Sequence, residues 1–265
     1  MRASVTSLFF SALILSATGC VGTTGDQVVE FEAAASGPAD VVAGEPLRFT
    51  GSRDWQVTLT TARLHIGAIY LAEAMPVSGA QATSCVLPGS YVAQVVEGRD
   101  IDLLSSEPQP FPVLGRGTTL EARAGQVWLT SGDVNRTDDP ARPAVILELA
   151  GSAQRAGEVR RFEAELTIAG NRVSATGVVA GGSPVCKQRI VSPIPTSIRV
   201  QSSGALWLRV DPRRLFINVD FGALSLAGSV YSFKDDSSDQ PSANLYNNLK
   251  QGSELYDFSW VSALR

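Results

Sequence analysis

Imidazole is nearly missing from this chain: His65 is the one histidine in 265 residues. Metal sites assembled from several imidazoles, the two-histidine zinc helix among them, are thereby excluded. Lysine is almost as scarce, at positions 187, 234 and 250. The residues three before them are Pro184, Tyr231 and Asn247, which removes the Ser-x-x-Lys signature, and the HExxH, GxSxG and Walker patterns are absent as well. Basic residues form no cluster with interleaved aromatics, so nucleic acid is not an expected partner. The three cysteines, Cys20, Cys85 and Cys186, include no CxxC pair, the spacing that tunes a thiol-redox site. No apolar run reaches the ~20 residues that a membrane-crossing helix needs. Paired carboxylates survive these exclusions, because a glycosidase pair is defined by separation in space rather than in sequence.

What is present begins at the N-terminus. Arg2 precedes an apolar run of Leu8, Phe9, Phe10, Ala12, Leu13, Ile14 and Leu15, followed by the small residues Ser16, Ala17, Thr18 and Gly19. That is the basic, apolar, small-residue order of a secretory signal. Cys20 directly after Ala17-Thr18-Gly19 resembles the lipobox of bacterial lipoproteins, with Ala17 standing where that family usually has leucine. The resemblance implies a signal peptide over 1–19, a diacylglycerol on the Cys20 thiol, cleavage before it and a lipidated tether over 20–26. An ordinary signal peptide with a nearby cysteine is the alternative. Each buried lipid methylene contributes about 0.8 kcal/mol, so two or more chains hold a protein stably on a membrane. By the enteric sorting rule, Val21 in place of an aspartate implies the outer membrane, on its periplasmic face or at the cell surface. The tether Val21 to Asp26 spans only about 20 Å when extended at roughly 3.3 Å per residue.

A mature chain from Cys20 carries 21 basic residues (22 less Arg2) against 26 acidic, a net charge of −5. With Cys20 lipidated, Cys85 and Cys186 remain in a compartment where disulfides persist, and the expectation is that they pair. Closing a loop of about 100 residues stabilises a fold by up to roughly 4.7 kcal/mol on the chain-entropy model. Two buried free thiols are the alternative.

Period-two alternation dominates the rest. Val29, Phe31 and Ala33 oppose Glu30 and Glu32; Trp55, Val57 and Leu59 oppose Gln56, Thr58 and Thr60; Phe162, Ala164, Leu166 and Ile168 oppose Arg161, Glu163, Glu165 and Thr167. Such faces are those of half-buried strands. After Ala62 the apolar set moves to Leu64, Ile66, Ala68 and Tyr70, which predicts a β-bulge near Thr61 to Arg63 or a turn between two strands. Val145 to Leu149, Arg160 to Ile168 and Arg172 to Val179 read as a meander. Further strands are predicted over Ser197 to Val200, Ala205 to Val210, Phe216 to Phe221, Val230 to Phe233 and Leu255 to Trp260, with one short helix over Ser242 to Lys250 between Pro241 and Gly252. The fold class is therefore all-β, an antiparallel sandwich or barrel-like sheet with one short C-terminal helix. Residues 27–265 read as a single β-rich domain, with two packed β-lobes and a seam near 105–118, around the proline-rich Glu107 to Pro112, as the alternative.

Candidate sites are few. His65, between Leu64 and Ile66, is a metal ligand or pH-sensitive group on one reading and a hydrogen-bonded strand histidine on the other. Asp133, Asn135, Asp138 and Asp139 place oxygen atoms close together after Gly132, as calcium prefers, although an ordinary polar turn has the same composition. Asp235, Asp236 and Asp239 form a second acidic loop. Trp55, Trp128, Trp207 and Trp260 are core residues or stacking platforms, and Trp207, alternating with Leu206 and Leu208, is the candidate ligand contact. Asp211-Pro212-Arg213-Arg214 reads as a turn.

The segments Val28-Val29-Glu30-Phe31 and His65-Ile66-Gly67-Ala68-Ile69-Tyr70-Leu71 resemble the methanobactin-associated periplasmic copper-binding family. That resemblance implies an exported β-rich domain and copper as a ligand, for which the mature chain offers His65 and Met75 besides Cys85 and Cys186. Three functions follow as expectations. The first is a non-enzymatic, lipid-anchored envelope module that binds an envelope protein, glycan or small ligand and needs no cofactor. The second is a periplasmic accessory protein for calcium or copper. The third is a hydrolase with an unrecognised carboxylate site.

Overall fold

The computed structural model of the chain describes residues 27–75, 90–130, 144–168, 190–251 and 254–264. In chain order the strands are β1 (Val28–Ser36), β2 (Leu47–Thr50), β3 (Gln56–Ile66), β4 (Ala68–Ala72), β5 (Tyr91–Val95), β6 (Arg99–Asp102), β7 (Gln109–Pro110) and β8 (Gly115–Thr118). They continue with β9 (Glu121–Trp128), β10 (Val145–Arg155), β11 (Glu158–Thr167), β12 (Ile190–Arg199), β13 (Ala205–Val210), β14 (Ser225–Ala227), β15 (Val230–Ser232) and β16 (Tyr256–Val261), with helix α1 (Gln240–Lys250) between the last two. The chain is all-β with one short C-terminal helix, as the alternation predicts.

Among the described residues the strands form two sheets. The first, of nine strands, runs β12-β9-β4-β5-β8-β1-β13-β16 with β7 beside β1, and the second, of seven, runs β14-β15-β11-β10-β3-β2 with β6 beside β3. The first sheet curls until its end strands β12 and β16 touch, giving a nearly closed, barrel-like layer. Gly125 on β9 permits the curl: a Cβ there would lie 2.2 Å from the Phe258 ring of β16. Most buried apolar side chains of both sheets join one cluster, whose aromatic centre is Phe162, Phe216, Phe221 and Phe233. Phe162 and Phe221 lie 5.0 Å apart between ring centroids, and Phe216 stacks on Phe221 at 5.6 Å.

The predicted parity change in β3 is a bulge. Ala150 of β10 faces Thr61 and Gly151 faces Leu59, leaving Thr60 as the extra residue. The Thr60 hydroxyl donates to the Ala150 carbonyl at 3.2 Å, so inward positions shift from Val57 and Leu59 to Ala62, Leu64 and Ile66. At Gly67 the chain leaves the second sheet for the first, its N–H donating to the Trp128 carbonyl at 2.7 Å. Every residue of β4 is then buried. Ile69 and Leu71 enter the main core, while Ala68 and Tyr70 join Trp128 in a second cluster on the opposite face.

Three expectations are corrected. Two strand pairs are parallel, β1 with β13 and β11 with β15, because alternation fixes which face is buried and not which way a neighbour runs. Phe216 to Phe221 is no strand: two short helical turns, Pro212–Phe216 and Phe221–Ala223, occupy the region, each opened by an aspartate, Asp211 or Asp220, accepting a main-chain N–H. Helix α1 starts at Gln240, two residues early, since Asp239 caps it by accepting from the Ser242 N–H at 2.9 Å. Pro241 sits in the first turn, where no intrahelical donor is needed. Arg172 to Val179 lies outside the described residues. Proline-rich Glu107 to Pro112 contains β7, where Pro110 pairs with Ala34 on β1.

Candidate ligand-binding groove

An open depression lies where β2 meets the helical turn after β13. Phe49, Thr50, Gly51 and Ser52 form one wall and Asp211, Arg213, Arg214, Phe216 and Ile217 the other, around a volume of about 520 Å³.

The first wall ends in a tight reversal. Gly51 N–H donates to the Trp55 carbonyl at 2.7 Å, and Arg53 (φ 58°) and Asp54 (φ 60°) turn the chain in the left-handed region, a conformation that costs non-glycine residues of order 1 kcal/mol each. Contacts to the other wall hold it: Ser52 Oγ accepts from the Asn218 N–H at 2.7 Å, and the Arg53 guanidinium meets Asp220 at 2.8 Å.

The second wall has few sheet bonds of its own, and helix α1 supplies them instead. Gln240 and Asn244 amides both donate to the Asn218 carbonyl, at 2.9 and 2.6 Å, and Asn248 donates to the Leu215 and Ile217 carbonyls at 2.9 and 2.7 Å. These three side chains are spaced by four and so share one helix face.

Charge fixes the rim. Arg213 donates from Nε to Asp211 at 2.7 Å and from Nη1 and Nη2 to both oxygens of Asp40 at 2.7 and 3.0 Å. The Arg213 hydrogen bonds hold the Asp40 carboxyl below its ordinary value, and the bonds to Asp211 and then Asp40 raise the guanidinium further above its own. Arg214 pairs with Glu254 at 2.9 Å. Arg48, on β2 beside the groove, is exposed and forms no ion pair among the described residues. The floor is apolar: half-buried Phe49 lies 5.7 Å from Phe216, and Ile217 is 38% exposed.

The residues singled out in the sequence fall elsewhere. His65 lies on the outer face of β3 with Nδ1 2.6 Å from Asp100 Oδ1, and among the described residues no group of three or more His, Cys, Asp or Glu side chains could hold a metal. Trp207 is half-buried on the outer face of the first sheet. Its indole N–H donates to Ser36 Oγ at 2.9 Å, and the Arg209 guanidinium covers its ring at 4.2 Å. In the loop of Asp235, Asp236 and Asp239 each carboxylate accepts a main-chain N–H, from Thr167 on β11, Ser238 and Ser242 respectively. Cys20, Cys85, Cys186, Asp133, Asn135, Asp138 and Asp139 lie outside the described residues.

Sequence reasoning passed over the groove itself. Asp211-Pro212-Arg213-Arg214 was legible only as a turn, and the amide spacing at 240, 244 and 248 was the one signal that a segment near α1 needed donors.

No family model and no curated protein matches the chain. A solved structure with weak similarity to this one is MbnP from Methylosinus trichosporium. The likeness covers 89% of this chain and 99% of MbnP, at 13% sequence identity and a TM-score of 0.42. Among the described residues no helix is long and apolar enough to cross a membrane.

Proposed function

We propose that the chain is an exported module of the bacterial envelope, tethered by lipid on Cys20, that holds a partner non-enzymatically in the groove between β2 and residues 211–217. The groove carries this reading. Phe49 and Ile217 give it an apolar floor, and its lining arginines are held in place, Arg213 by Asp40 and Asp211 and Arg214 by Glu254. The N-terminal order of Arg2, apolar run, small residues and Cys20 supports the address, and Val21 supports the outer membrane.

The test is cross-linking in intact envelopes, affinity capture, and mass spectrometry of the mature chain. Expected are an acylated N-terminus at Cys20 and a captured partner whose cross-links map to 48–52 and 211–217. An unacylated N-terminus refutes the anchor, and cross-links confined to other surfaces refute the groove.

One observation favours a second reading, a metal-binding accessory protein for calcium or copper: His65 and Asp100 set an imidazole beside a carboxylate. Metal retained after mild purification and lost in His65→Ala supports it. Metal-free protein from metal-supplemented cells refutes it.

A further inference from the structure

Among the described residues β2 is an edge of the seven-stranded sheet, with β3 as its neighbour on one side. Its register pairs Leu47 with Leu59, Phe49 with Val57 and Thr50 with Gln56, and Gly51 N–H bonds the Trp55 carbonyl. Hydrogen-bonded positions alternate along an antiparallel ladder. Leu47, Phe49 and Gly51 therefore direct their main-chain groups at β3. The N–H and C=O of Arg48 and Thr50 point the other way, away from β3, and Thr50 lines the groove. Edge strands are commonly blunted by shortness, charge, proline, a bulge or a covering element; β2 is short and carries Arg48 but has neither proline nor bulge, and the facing wall stands off by a groove whose volume falls within the ~300–1,000 Å³ of ligand sites.

We infer that the groove takes an extended peptide strand that adds antiparallel to the open edge of β2, with acidic and apolar residues in alternation. This rests on the groove being the binding site proposed above and names its occupant. Main-chain donors and acceptors at a two-residue repeat are what a β-strand satisfies, and addition to an exposed edge is an established mode of peptide recognition. Cross-strand partners share a face. The occupant's residue opposite Phe49 points inward over Phe49 and Ile217 and is apolar. Its residues opposite Arg48 and Thr50 point outward, and the exposed Arg48, which has no ion pair among the described residues, selects carboxylates there. β2 itself reads Leu-Arg-Phe-Thr and brings no carboxylate, so a second copy of the chain is the poorer complement.

The test uses the peptide acetyl-Val-Glu-Val-Glu-Val-amide and the full mature chain. Expected are slowed amide exchange at Arg48 and Thr50 on peptide addition, and affinity at least tenfold weaker when the glutamate nitrogens are N-methylated. N-methylation of the central valine, whose N–H faces away from β2, leaves affinity within about twofold. Arg48→Glu weakens binding at least tenfold. So does Thr50→Pro, which removes an N–H at the open edge while leaving the bonds to β3 intact. No binding at millimolar peptide, protection at other strands, equal effects of both N-methylations, or concentration-dependent dimerisation through β2 overturns the inference. Envelope capture that survives Thr50→Pro also overturns strand addition while leaving the binding module standing, whereas wild type that captures nothing refutes the binding module.

Discussion

Arg213 is gripped by Asp40 and Asp211 together, and this fixes how one side chain responds to pH. The Asp40 carboxyl is held below its ordinary 3.8 by the guanidinium, so its contribution to stability is complete above that value and fades as the pH falls through the lowered folded value. Asp40 is largely exposed, which limits the pair to about 1 kcal/mol or less. Asp40→Asn is accordingly expected to lower stability by up to about 1 kcal/mol at neutral pH, with the difference from wild type vanishing in strong acid, as urea unfolding at the two pH values will show. Tyr246 responds in the opposite sense. Burial, and then the charge of Asp235, push its phenol from 10.0 to about 12, so the stability linked to its neutral form is present below 10.0 and is lost as the pH rises toward 12. Tyr246→Phe should flatten that alkaline loss in the same assay. On the far face of the first sheet, Gln126 Oε1 accepts from both the Tyr91 hydroxyl and the Trp128 indole, at 3.1 and 3.3 Å. Gln126→Leu removes that shared acceptor and is expected to cost about 1–3 kcal/mol by denaturant unfolding.

Helix α1 shows at the level of elements why some of the fold was legible and some was not. Its position followed from Pro241 and the run of helix-compatible residues, and its start was misplaced by two because Asp239 looks the same in a loop as in a cap. The burial faces of β1, β3 and β11 followed from alternation, and the bulge in β3 from the parity change after Ala62. Phe216 to Phe221 misled for a physical reason: an apolar stretch is marked as buried by its composition, while the donors that satisfy its carbonyls sit on α1, some thirty residues later in the case of Asn248. The groove was hidden by the same distance, since its walls come from 49–52 and 211–217. Asn248→Ala leaves the Leu215 and Ile217 carbonyls without their amide donor. Faster amide exchange over 213–219 with α1 otherwise intact is the expected result, and unchanged exchange would show that the amide row does not brace the wall.

At the scale of the whole molecule, the nearly closed first sheet depends on how near β9 comes to β16. Gly125→Val puts a side chain where a Cβ alone would stand 2.2 Å from Phe258. Overpacking of this kind typically costs about 1–3 kcal/mol. A lowered melting temperature together with a larger accessible Phe258, read by side-chain labelling, would report a sheet forced open.

The described chain emerges from its N-terminal segment directly into β1, and β1 is no border strand. Val28 to Phe31 are bonded to β8 and Glu32 to Ser36 to β13. Ladder bonds run across the strand axis in an antiparallel pair and aslant in a parallel one. Force entering along β1 from its N-terminal end therefore loads these ladders along the strand, in shear, the β8 bonds of Val28 to Phe31 before the β13 bonds of Glu32 to Ser36. Were the chain held at Cys20 as proposed, load would enter the domain through a strand bonded on both sides.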